Sequence, residues 1–404
     1  MALTASLRGA LAEAGPGGLS QASARADELT IAIVDTADAF LALRAEWDAL
    51  FARAGLAHQV FQSHAVLRHW ATHYLDGNMR LCIVTVRRGG RLVMVWPLVR
   101  QRRFGLVSLR FMGVPVAQYG DVLVERSGDE AALLKAGRDA VANLGVDLFE
   151  LRKLRGDSVL ATSGLVSRAA LRERLDAPLA DLGARVGPDG PSHAYAPRER
   201  SNHRRRLRRL SERGAIGFSM VGPGPEAADL AVTAIAMKQA ALLRHGVLAP
   251  TISDPRFSAF FRDLAGDIAG GSPLRVALIA CDGEPVGIDL ALDCKGASFG
   301  HVIATHPEHE RGGVGGLLVH HSFACARARG NAIFDMLAPA DPYKHEHADG
   351  LTAVTDCVLP LSWKGRLVVE SGLANWRPLL KRALRRLPPP LTRRLAAWSN
   401  SGKS

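Results

Sequence analysis

The stretch HPEHERGGVGGLLVHHSFACARARGNAIFDML, residues 306–337, sets four glycines within five positions and continues with an apolar helical pattern, a further glycine and a strand. Backbone N–H groups at a helix start have no intrahelical partner and lie at the positive end of the helix dipole. They bind phosphate oxygens when no side chain covers them. The alternative is a tight turn that needs glycine only for close packing, because short glycine patterns are weak evidence.

Two other phosphate-binding patterns differ from this stretch. A dinucleotide-binding loop has the pattern G-x-G-x-x-G after the first strand of a domain, and a P-loop ends in G-K-[ST]. The glycine turn instead follows the fourth predicted strand of its unit, after a hairpin, and its helix ends at Gly330 before another strand. The sequence therefore fits neither class.

Length and composition indicate a globular protein of two domains. The chain has 404 residues, and domains run to roughly 100 to 200 residues each. No stretch approaches the roughly 20 uninterrupted apolar residues of a membrane span. Residues 1–28 have no basic segment leading into an apolar run, so we expect a flexible tail and not an export signal. Five cysteines without a C-x-x-C pair fit a disulfide framework poorly. These features predict a cytoplasmic location.

Positive charge is concentrated in two segments. The net charge of +12 would attract nucleic acid, anionic lipid or an anionic cofactor. Residues 198–213 predict a basic helix with Leu207 and Leu210 on one face and arginines on the others. Such a helix is usually a solvated face, and the functional alternatives are binding of tRNA, a nucleotide sugar or a phospholipid surface. Residues 377–398, with apolar side chains among arginines, predict contact with the inner face of an anionic membrane.

Hydrophobic periodicity predicts the same order of elements twice: helices, hairpin, strand, helix, strand. The hairpins turn at Gly89-Gly90 and at Asp282-Gly283. A Pro- and Gly-rich stretch over residues 176–200 indicates a boundary. We therefore expect an α+β fold of two tandem units, each a mixed, mostly antiparallel sheet flanked by helices. The predicted units are 29–185 and 186–365, followed by a basic amphipathic tail over 366–404.

The order of elements around the glycine turn resembles the GNAT superfamily of acyl-CoA-dependent N-acyltransferases. In that superfamily the pyrophosphate loop has the form [RQ]-x-x-G-x-[GA], and acyl-CoA lies in a cleft between two splayed strands. The match aligns Gly313 and Gly315 with the loop glycines, and LLVHHSFACARARG (317–330) with the helix that ends in A-R-x-x-G. Glu310 occupies the leading Arg or Gln position, and Arg311 follows one place late.

Nearly the whole chain resembles the two-unit branch known as CelD-like or FemAB-like acetyltransferases. The segments that carry this resemblance are FQSHAVLRHW (61–70), RGGRLVMVWPL (88–98), YGDVL (119–123), NHRRRLRRLSERG (202–214), EPVGIDLAL (284–292) and IFDMLAPADPYKHEH (333–347). The last segment is similar to that branch's D-x-x-x(n)-Y-K signature after the final core strand, with His347 at the place of an aromatic residue.

The resemblance implies a coenzyme site in the second unit. The backbone of Val302 and Ile303 would line the pantetheine arm. The residues implied to hold the pyrophosphate are Arg311, Gly312, Gly313, Val314, Gly315 and Gly316.

Four residues are candidates for catalysis. Asp335 interrupts an apolar strand, where an unpaired carboxylate is costly, and its alternative role is a salt bridge to a neighbouring Arg. By the resemblance, Tyr343 could protonate the leaving thiolate, and Lys344 could bind an acidic substrate or fix the loop. The alternative for both is an ordinary surface or capping residue. His301, beside the expected thioester, is a candidate base, with a satisfied core histidine as the alternative.

Tyr119, Asp121 and Trp96 of the first unit would shape the acceptor groove if the resemblance holds, although strand packing explains the tryptophan equally well. The pairs His306/His309, His320/His321 and His345/His347 invite a metal interpretation. We expect no metal, because adjacent helical side chains diverge by about 100° per residue and the sequence has no H-E-x-x-H.

The sequence thus predicts an acyltransferase that moves an acyl group, with acetyl the expected one, from acetyl-CoA or another acyl-CoA to an amine or hydroxyl. Direct attack in a ternary complex is expected. The family label suggests a small-molecule or saccharide acceptor, such as a cell-surface polysaccharide precursor, and no DNA is expected as a partner. One alternative is an aminoacyl-tRNA-dependent FemAB-type transferase. Another is a non-catalytic polyanion- or membrane-binding protein with a vestigial loop.

Overall fold

The computed structural model describes residues 28–371, except the side chains of residues 310 and 311. Residues 1–27 of the predicted N-terminal tail lie outside the described residues. The predicted basic tail from residue 372 onward also lies outside them, and with it the predicted membrane-contacting segment 377–398.

The first half alternates short strands and helices. Its strands are β1 (Leu29–Val34), β2 (Met79–Leu81), β3 (Ile83–Arg88), β4 (Arg91–Trp96), β5 (Leu98–Arg103), β6 (Leu106–Phe111), β7 (Leu123–Val124), β8 (Leu148–Arg155) and β9 (Ala170–Asp181). Its helices are α1 (Ala37–Ala42), α2 (Arg44–Ala54), α3 (His64–Tyr74), α4 (Glu130–Ala142), α5 (Val159–Thr162) and α6 (Leu182–Arg185), with a 3-10 helix at Ala57–Gln62.

The second half begins with a short hairpin and the basic helix. Its strands are β10 (Val186–Gly187), β11 (Gly190–Pro191), β12 (Ile216–Val221), β13 (Leu274–Cys281), β14 (Glu284–Cys294), β15 (Ala297–Thr305), β16 (Ile333–Asp335) and β17 (Gly350–Pro360). Its helices are α7 (Pro197–Ser211), α8 (Pro225–Arg244), α9 (Pro255–Gly266), α10 (Val314–Ala328), α11 (Pro342–His345) and α12 (Trp363–Glu370), with a 3-10 helix at Pro307–Gly312.

Both predicted hairpins form. Gly89 and Gly90 connect β3 to β4 with φ angles of 53° and 84°, and Asp282 and Gly283 connect β13 to β14 with φ angles of 51° and 85°. Positive φ at both central residues is what a two-residue turn of type I′ requires, which explains the glycines. The second turn fixes the register of β13 and β14, and β14 pairs with the strand that leads to the glycine turn.

The strands form a sheet of four in the order β1-β3-β4-β7, a two-stranded hairpin, and a sheet of eleven. The large sheet has the order β12-β13-β14-β15-β16-β9-β17-β8-β6-β5-β2. Its pairs are antiparallel except β15–β16 and β6–β8, which are parallel. The predicted α+β class with mixed, mostly antiparallel sheets and flanking helices is confirmed.

The two halves exchange strands at the centre of the large sheet. Strand β9, from the first half, lies between β16 and β17 of the second, and β17 in turn lies between β9 and β8. The predicted boundary at residues 185 and 186 falls between α6 and β10, whereas backbone pairing runs across it. The division into 29–185 and 186–365 remains a prediction. Backbone hydrogen bonds of the large sheet join the two halves.

Helices α3 of the first half and α9 of the second also meet across the junction. His73 Nε2 lies 2.8 Å from the Asp263 carboxylate, and His69 Nε2 lies 2.9 Å from that of Asp267. One apolar cluster contains buried residues of both halves, including Trp70 and Phe261. The site described below is therefore held by a continuous core.

No helix within residues 28–371 is long and apolar enough to cross a bilayer. All five cysteines lie within these residues and are unpaired, as the scattered sequence positions predicted.

Candidate functional site

Strands β15 and β16 pair only briefly and then separate. Their parallel pairing covers only Ala297–Phe299 against Ile333–Asp335. Immediately afterwards the register of β14 and β15 shifts, with Ala291 opposite Gly300 and Leu290 opposite Val302, which leaves His301 as an extra residue in β15. Such a bulge bends a strand and ends its pairing. The edge of β15 from His301 to Thr305 is therefore the predicted wall of the coenzyme cleft, and Val302 and Ile303 lie on it.

The glycine turn lies at the end of this strand. After the 3-10 helix, Gly313 adopts a φ of 80° and is the residue before α10. This left-handed conformation favours glycine. No described side chain caps the helix start, and the Gly316 amide donates a hydrogen bond of 3.1 Å to the Gly313 carbonyl. The amides of Val314 and Gly315 are therefore the ones without an intrahelical or side-chain partner within the described residues. Gly315 has no side chain that could cover these amides. The space around it is open, because an added Cβ would have only Thr305 within 4 Å, at 3.9 Å.

Helix α7 places Arg206 over the same turn. An added Cβ at Gly313 would lie 2.9 Å from Cγ, Cδ and Nε of Arg206, and one at Gly316 would lie 2.6 Å from its Nη1. These distances are too short for real carbon contacts, so both positions require glycine while Arg206 lies there. No local pattern connects Arg206 with the glycines. The sequence feature that could have indicated Arg206 was the concentration of positive charge in residues 198–213.

The apolar face of α7 explains this placement. Leu210 is buried, and Leu207 packs against the same cluster, which includes Val314, Leu317 and Leu318 of α10. Arg213 then donates a hydrogen bond of 3.1 Å to the carbonyl of Glu308 in the 3-10 helix. The inner face of α7, the predicted basic helix, thus packs against the glycine turn and the start of α10. Four arginines on its outer faces are exposed: Arg204, Arg205, Arg208 and Arg209.

The second wall of the cleft is the turn that follows Asp335. Leu337 has a φ of 59°, an unusual conformation for a leucine. Asp335 Oδ1 accepts a hydrogen bond of 2.8 Å from the Leu337 amide, and Lys344 Nζ donates one of 2.8 Å to the Leu337 carbonyl and another of 2.8 Å to the Pro339 carbonyl. Two predicted catalytic residues therefore hold both sides of one strained residue.

Asp335 also joins the two halves of the chain. Its carboxylate is 1% exposed and accepts hydrogen bonds from the Tyr119 hydroxyl at 3.0 and 2.9 Å and from Arg155. Burial raises the pKa of Asp335, although the guanidinium of Arg155 opposes the shift. Burial, together with the charge of Asp335, raises the pKa of Tyr119. The alternative considered for Asp335, a salt bridge to an arginine, is the arrangement found.

Lys344 and Tyr343 lie side by side in α11 in different environments. Lys344 is 8% exposed, and burial lowers its pKa to about 8. Tyr343 is 39% exposed, and burial of its hydroxyl together with nearby Asp341 and Asp289 raises its pKa. The phenol is therefore protonated at neutral pH, and the residue as a whole is partly exposed.

Asp289 is a buried carboxyl that the sequence did not single out. It lies in β14 opposite Ile303 of β15, is 3% exposed, and burial raises its pKa to about 6. The signal was present, because this aspartate interrupts the apolar run VGIDLAL as Asp335 interrupts AIFDML.

His301 faces the first half of the chain. Its Nε2 lies 2.8 Å from the Val116 carbonyl, and because a carbonyl only accepts, we assign the proton to Nε2. The remaining nitrogen, Nδ1, is buried without a partner among the described residues. Burial lowers the pKa of His301 to about 4, so the ring is neutral at pH 7 with a free lone pair.

The other two first-half candidates are structural by placement. Asp121 is fully buried and accepts hydrogen bonds from Gln59 at 2.7 Å and from the amides of Val159 and Leu160 at 3.1 Å each. It therefore fixes the start of α5. Trp96 packs in an apolar cluster against Phe149, with ring centroids 5.4 Å apart. The predicted roles in acceptor binding remain predictions, and of the three residues only Tyr119 contacts a residue of the cleft.

Three histidines meet beside the glycine turn. The ring centroids of His203 and His320 are 4.9 Å apart, and those of His320 and His347 are 5.1 Å apart. The Tyr195 hydroxyl lies 2.8 Å from His347 Nδ1. Burial lowers the pKa of His347 to about 4 and that of His320 to about 2. Within the described residues no group of three or more His, Cys, Asp or Glu side chains converges in a way that could hold a metal ion.

Comparison with known proteins places these features in context. Residues 197–345 match a sequence-family model described as an acetyltransferase (GNAT) domain, and no curated protein matches the chain. FemX shares 12% identity with a TM-score of 0.56, over 80% of this chain and 97% of its own. A conserved protein of unknown function from Bacteroides thetaiotaomicron shares 9% identity with a TM-score of 0.50, over 82% and 100%. A tandem GNAT protein from the clavulanic acid biosynthesis pathway shares 14% identity with a TM-score of 0.45, over 83% and 99%. At these identities the likeness to solved structures concerns the fold.

Proposed function

We propose that the protein transfers an acyl group from an acyl-CoA. Residues 197–345 match the model of a GNAT domain, and the chain has the fold of FemX, which confirms the predicted resemblance. The proposed acyl group is acetyl, and the acceptor is an amine or hydroxyl on a small molecule or saccharide. Attack takes place directly, with donor and acceptor bound together.

The observation that carries the proposal is the uncapped start of α10 at the end of a splayed strand. Diphosphate oxygens would accept hydrogen bonds from the amides of Val314 and Gly315 and gain from the helix dipole. From there the unpaired edge of β15 leads to His301, so an extended amide-bearing arm would add to this edge as a strand does. The proposed diphosphate site at the start of α10 and the proposed binding edge for the pantetheine arm are therefore continuous along β15.

The residues around the cleft supply the proton transfers that acyl transfer needs. The acceptor amine attacks the thioester carbonyl, the C–S bond breaks, and the thiolate takes a proton. Tyr343, which is protonated at pH 7 and partly exposed, is the proposed donor of that proton. His301 Nδ1 is the proposed acceptor for the proton of the attacking amine. Burial lowers its pKa to about 4, so the ring is unprotonated at pH 7; an efficient base has a pKa near the working pH, so the role requires that pKa to rise when the ligands bind.

The acceptor is proposed to enter between the two halves. His301 is bonded to Val116 of the first half, and the Gln118 amide nitrogen lies 3.3 Å from the same ring. An acceptor that enters from the side of the first half would reach the thioester across the face of β15 opposite α10. Donor and acceptor would then occupy different space.

The test combines ligand binding with a variant that the fold itself accepts. Thermal unfolding with a panel of acyl-CoA molecules should show stabilisation, about 2.7 kcal/mol at a hundredfold excess over Kd. Gly315→Glu places a carboxylate in the first turn of α10, where the chain leaves room. It should stabilise the ligand-free protein by about 1 kcal/mol through helix propensity and the dipole, yet abolish coenzyme binding by repelling the diphosphate.

Gly315→Gln is the matched control, because it has the same length without the charge. It should weaken binding less than Gly315→Glu. Stabilisation by no acyl-CoA, or equal binding by wild type and Gly315→Glu, would refute the proposed site. Absence of binding together with liposome association would favour the non-catalytic alternative.

One observation favours a second candidate, the aminoacyl-tRNA-dependent FemAB-type transferase. The four exposed arginines of α7 lie beside the cleft, and a row of cations suits the phosphate backbone of RNA. A gel shift with bulk tRNA at rising salt addresses this candidate. Binding that persists at 0.2 M salt, without any acyl-CoA effect on thermal stability, would support it over the first.

A further inference from the structure

We propose that Arg206 of α7 is a ligand of the coenzyme diphosphate. This inference rests on the proposed function, which places a diphosphate at the start of α10. It adds a residue from outside the glycine turn, on a helix that the resemblance does not connect with the coenzyme. In the GNAT loop pattern a leading Arg or Gln supplies the polar side chain, and here Glu310 stands at that position.

The placement of Arg206 is electrostatically unfavourable unless an anion lies with it. The start of a helix carries roughly half a positive charge, and the Arg206 side chain lies directly over it, close to both Gly313 and Gly316. Among the described side chains none forms an ion pair or a hydrogen bond with Arg206, whereas Arg208 of the same helix lies 3.9 Å from Glu212. A diphosphate between the guanidinium and the α10 amides would satisfy both positive groups.

The same contacts explain the glycines at Gly313 and Gly316. The Cβ positions at both residues lie against Arg206, so the glycines admit the arginine as well as the ligand. Helix α7 is held in this position by Leu207 and Leu210 and by the bond from Arg213 to the Glu308 carbonyl. The backbone of α7 is therefore held over the turn, so the guanidinium is within reach of an anion bound there.

The test is Arg206→Met, which keeps most of the aliphatic stem and removes the charge, with Arg204→Met as the control. Arg204 is exposed on the same helix and two positions away, so its side chain points to a different face. Isothermal titration measures the Kd of acetyl-CoA and of 3′-dephospho-CoA for each protein. Unfolding without ligand checks that the variants fold.

Arg206→Met should raise both Kd values by about tenfold to a hundredfold, the loss expected for a charge-assisted hydrogen bond. Arg204→Met should change them less than about twofold, and Arg206→Lys should recover part of the loss. Because both ligands carry the diphosphate, the loss should be equal for the two.

Four results would overturn the inference. Unchanged Kd values in Arg206→Met, with wild type binding normally, would remove Arg206 from the site and leave the proposed function standing. Tighter binding would identify Arg206 as a plug. A loss confined to acetyl-CoA would assign the guanidinium to the 3′-phosphate. Failure of the wild-type protein to bind either ligand would remove the proposed function and this inference together.

Discussion

Substitution of Asp335 by asparagine distinguishes a structural from a catalytic role for the most prominent charge in the cleft. The change keeps the volume and leaves an amide oxygen for the Leu337 amide and for Tyr119. It removes the countercharge of Arg155, whose side chain is 10% exposed. Breaking one partner of a buried ion pair costs about 3 to 5 kcal/mol. Arg155 retains Asp157, whose carboxylate accepts from Nε at 2.7 Å, so we expect about 3 kcal/mol.

The assay is equilibrium urea unfolding of wild type, Asp335→Asn, Arg155→Met and the double variant. Because the two side chains share one contact, the double variant should cost less than the sum, with a coupling of about 2 kcal/mol. Tyr119→Phe is the control for the hydrogen bond from the hydroxyl to the carboxylate and should cost about 1.5 to 3 kcal/mol. If Asp335→Asn lost activity but kept its unfolding free energy within about 0.5 kcal/mol, the structural account of Asp335 would be refuted.

Three further predictions concern the walls of the cleft and the buried histidines. Gly300→Ala would place a Cβ 2.7 Å from the Phe334 ring. We expect the free energy of unfolding to fall by about 1 to 3 kcal/mol and coenzyme binding to weaken. Gly217→Ala, with 3.9 Å to Ala280, is its near-neutral control, and equal behaviour of the two would contradict the close packing at Gly300. Lys344→Met leaves the Leu337 and Pro339 carbonyls without their donor and should lower the free energy of unfolding in urea by about 1 to 3 kcal/mol. The control Lys135→Met, at an exposed lysine, should change it very little. A change in KM without a change in stability would instead indicate that Lys344 binds substrate. The folded-state pKa values of His301 and His347 lie near 4, below their unfolded values near 6.5, so the unfolded chain binds more protons as pH falls. Stability should therefore be full above about pH 6.5 and decline toward pH 4, by about 3 kcal/mol for these two rings together at pH 5.5. His320, whose pKa burial lowers to about 2, adds about half as much again. His347→Gln should therefore remove about a third of the decline, and a flat profile in wild type would show that the rings are not buried and neutral.

The sequence predicted those parts of the fold that depend on neighbours along the chain. Both hairpin turns, the strand at 297–305 and the basic helix lie where turn chemistry and periodicity put them. The start of α10 was predicted at Leu317 and is observed at Val314, because Gly315 and Gly316 have little intrinsic helix preference. The helix nevertheless starts there because Val314, Leu317 and Leu318 pack in one cluster with Leu210 of α7 and Val286 of β14.

Contacts between distant segments were not predictable in this way. The exchange of β9 and β17 depends on which strand edge each one meets, and hydrophobic pattern alone specifies faces and not partners. The position of Arg206 depends on Leu207 and Leu210 finding α10. The partners of Asp335 are Tyr119 and Arg155, which come from the other half of the chain. Its isolation in an apolar strand indicated that a partner must exist, but not which one.

The residues of the D-x-x-x(n)-Y-K signature acquire a common physical role from these contacts. A parallel pair such as β15–β16 would continue beyond Asp335 unless its two strands were forced apart. On one side the bulge at His301 turns β15 away. On the other, the Met336 amide bonds to Pro178, and Leu337 is held in its turn by Asp335 and Lys344. Asp335 and Lys344 thus hold the turn at Leu337, whereas Tyr343, which lies between them in sequence, is 39% exposed, and its action on a substrate stays a prediction.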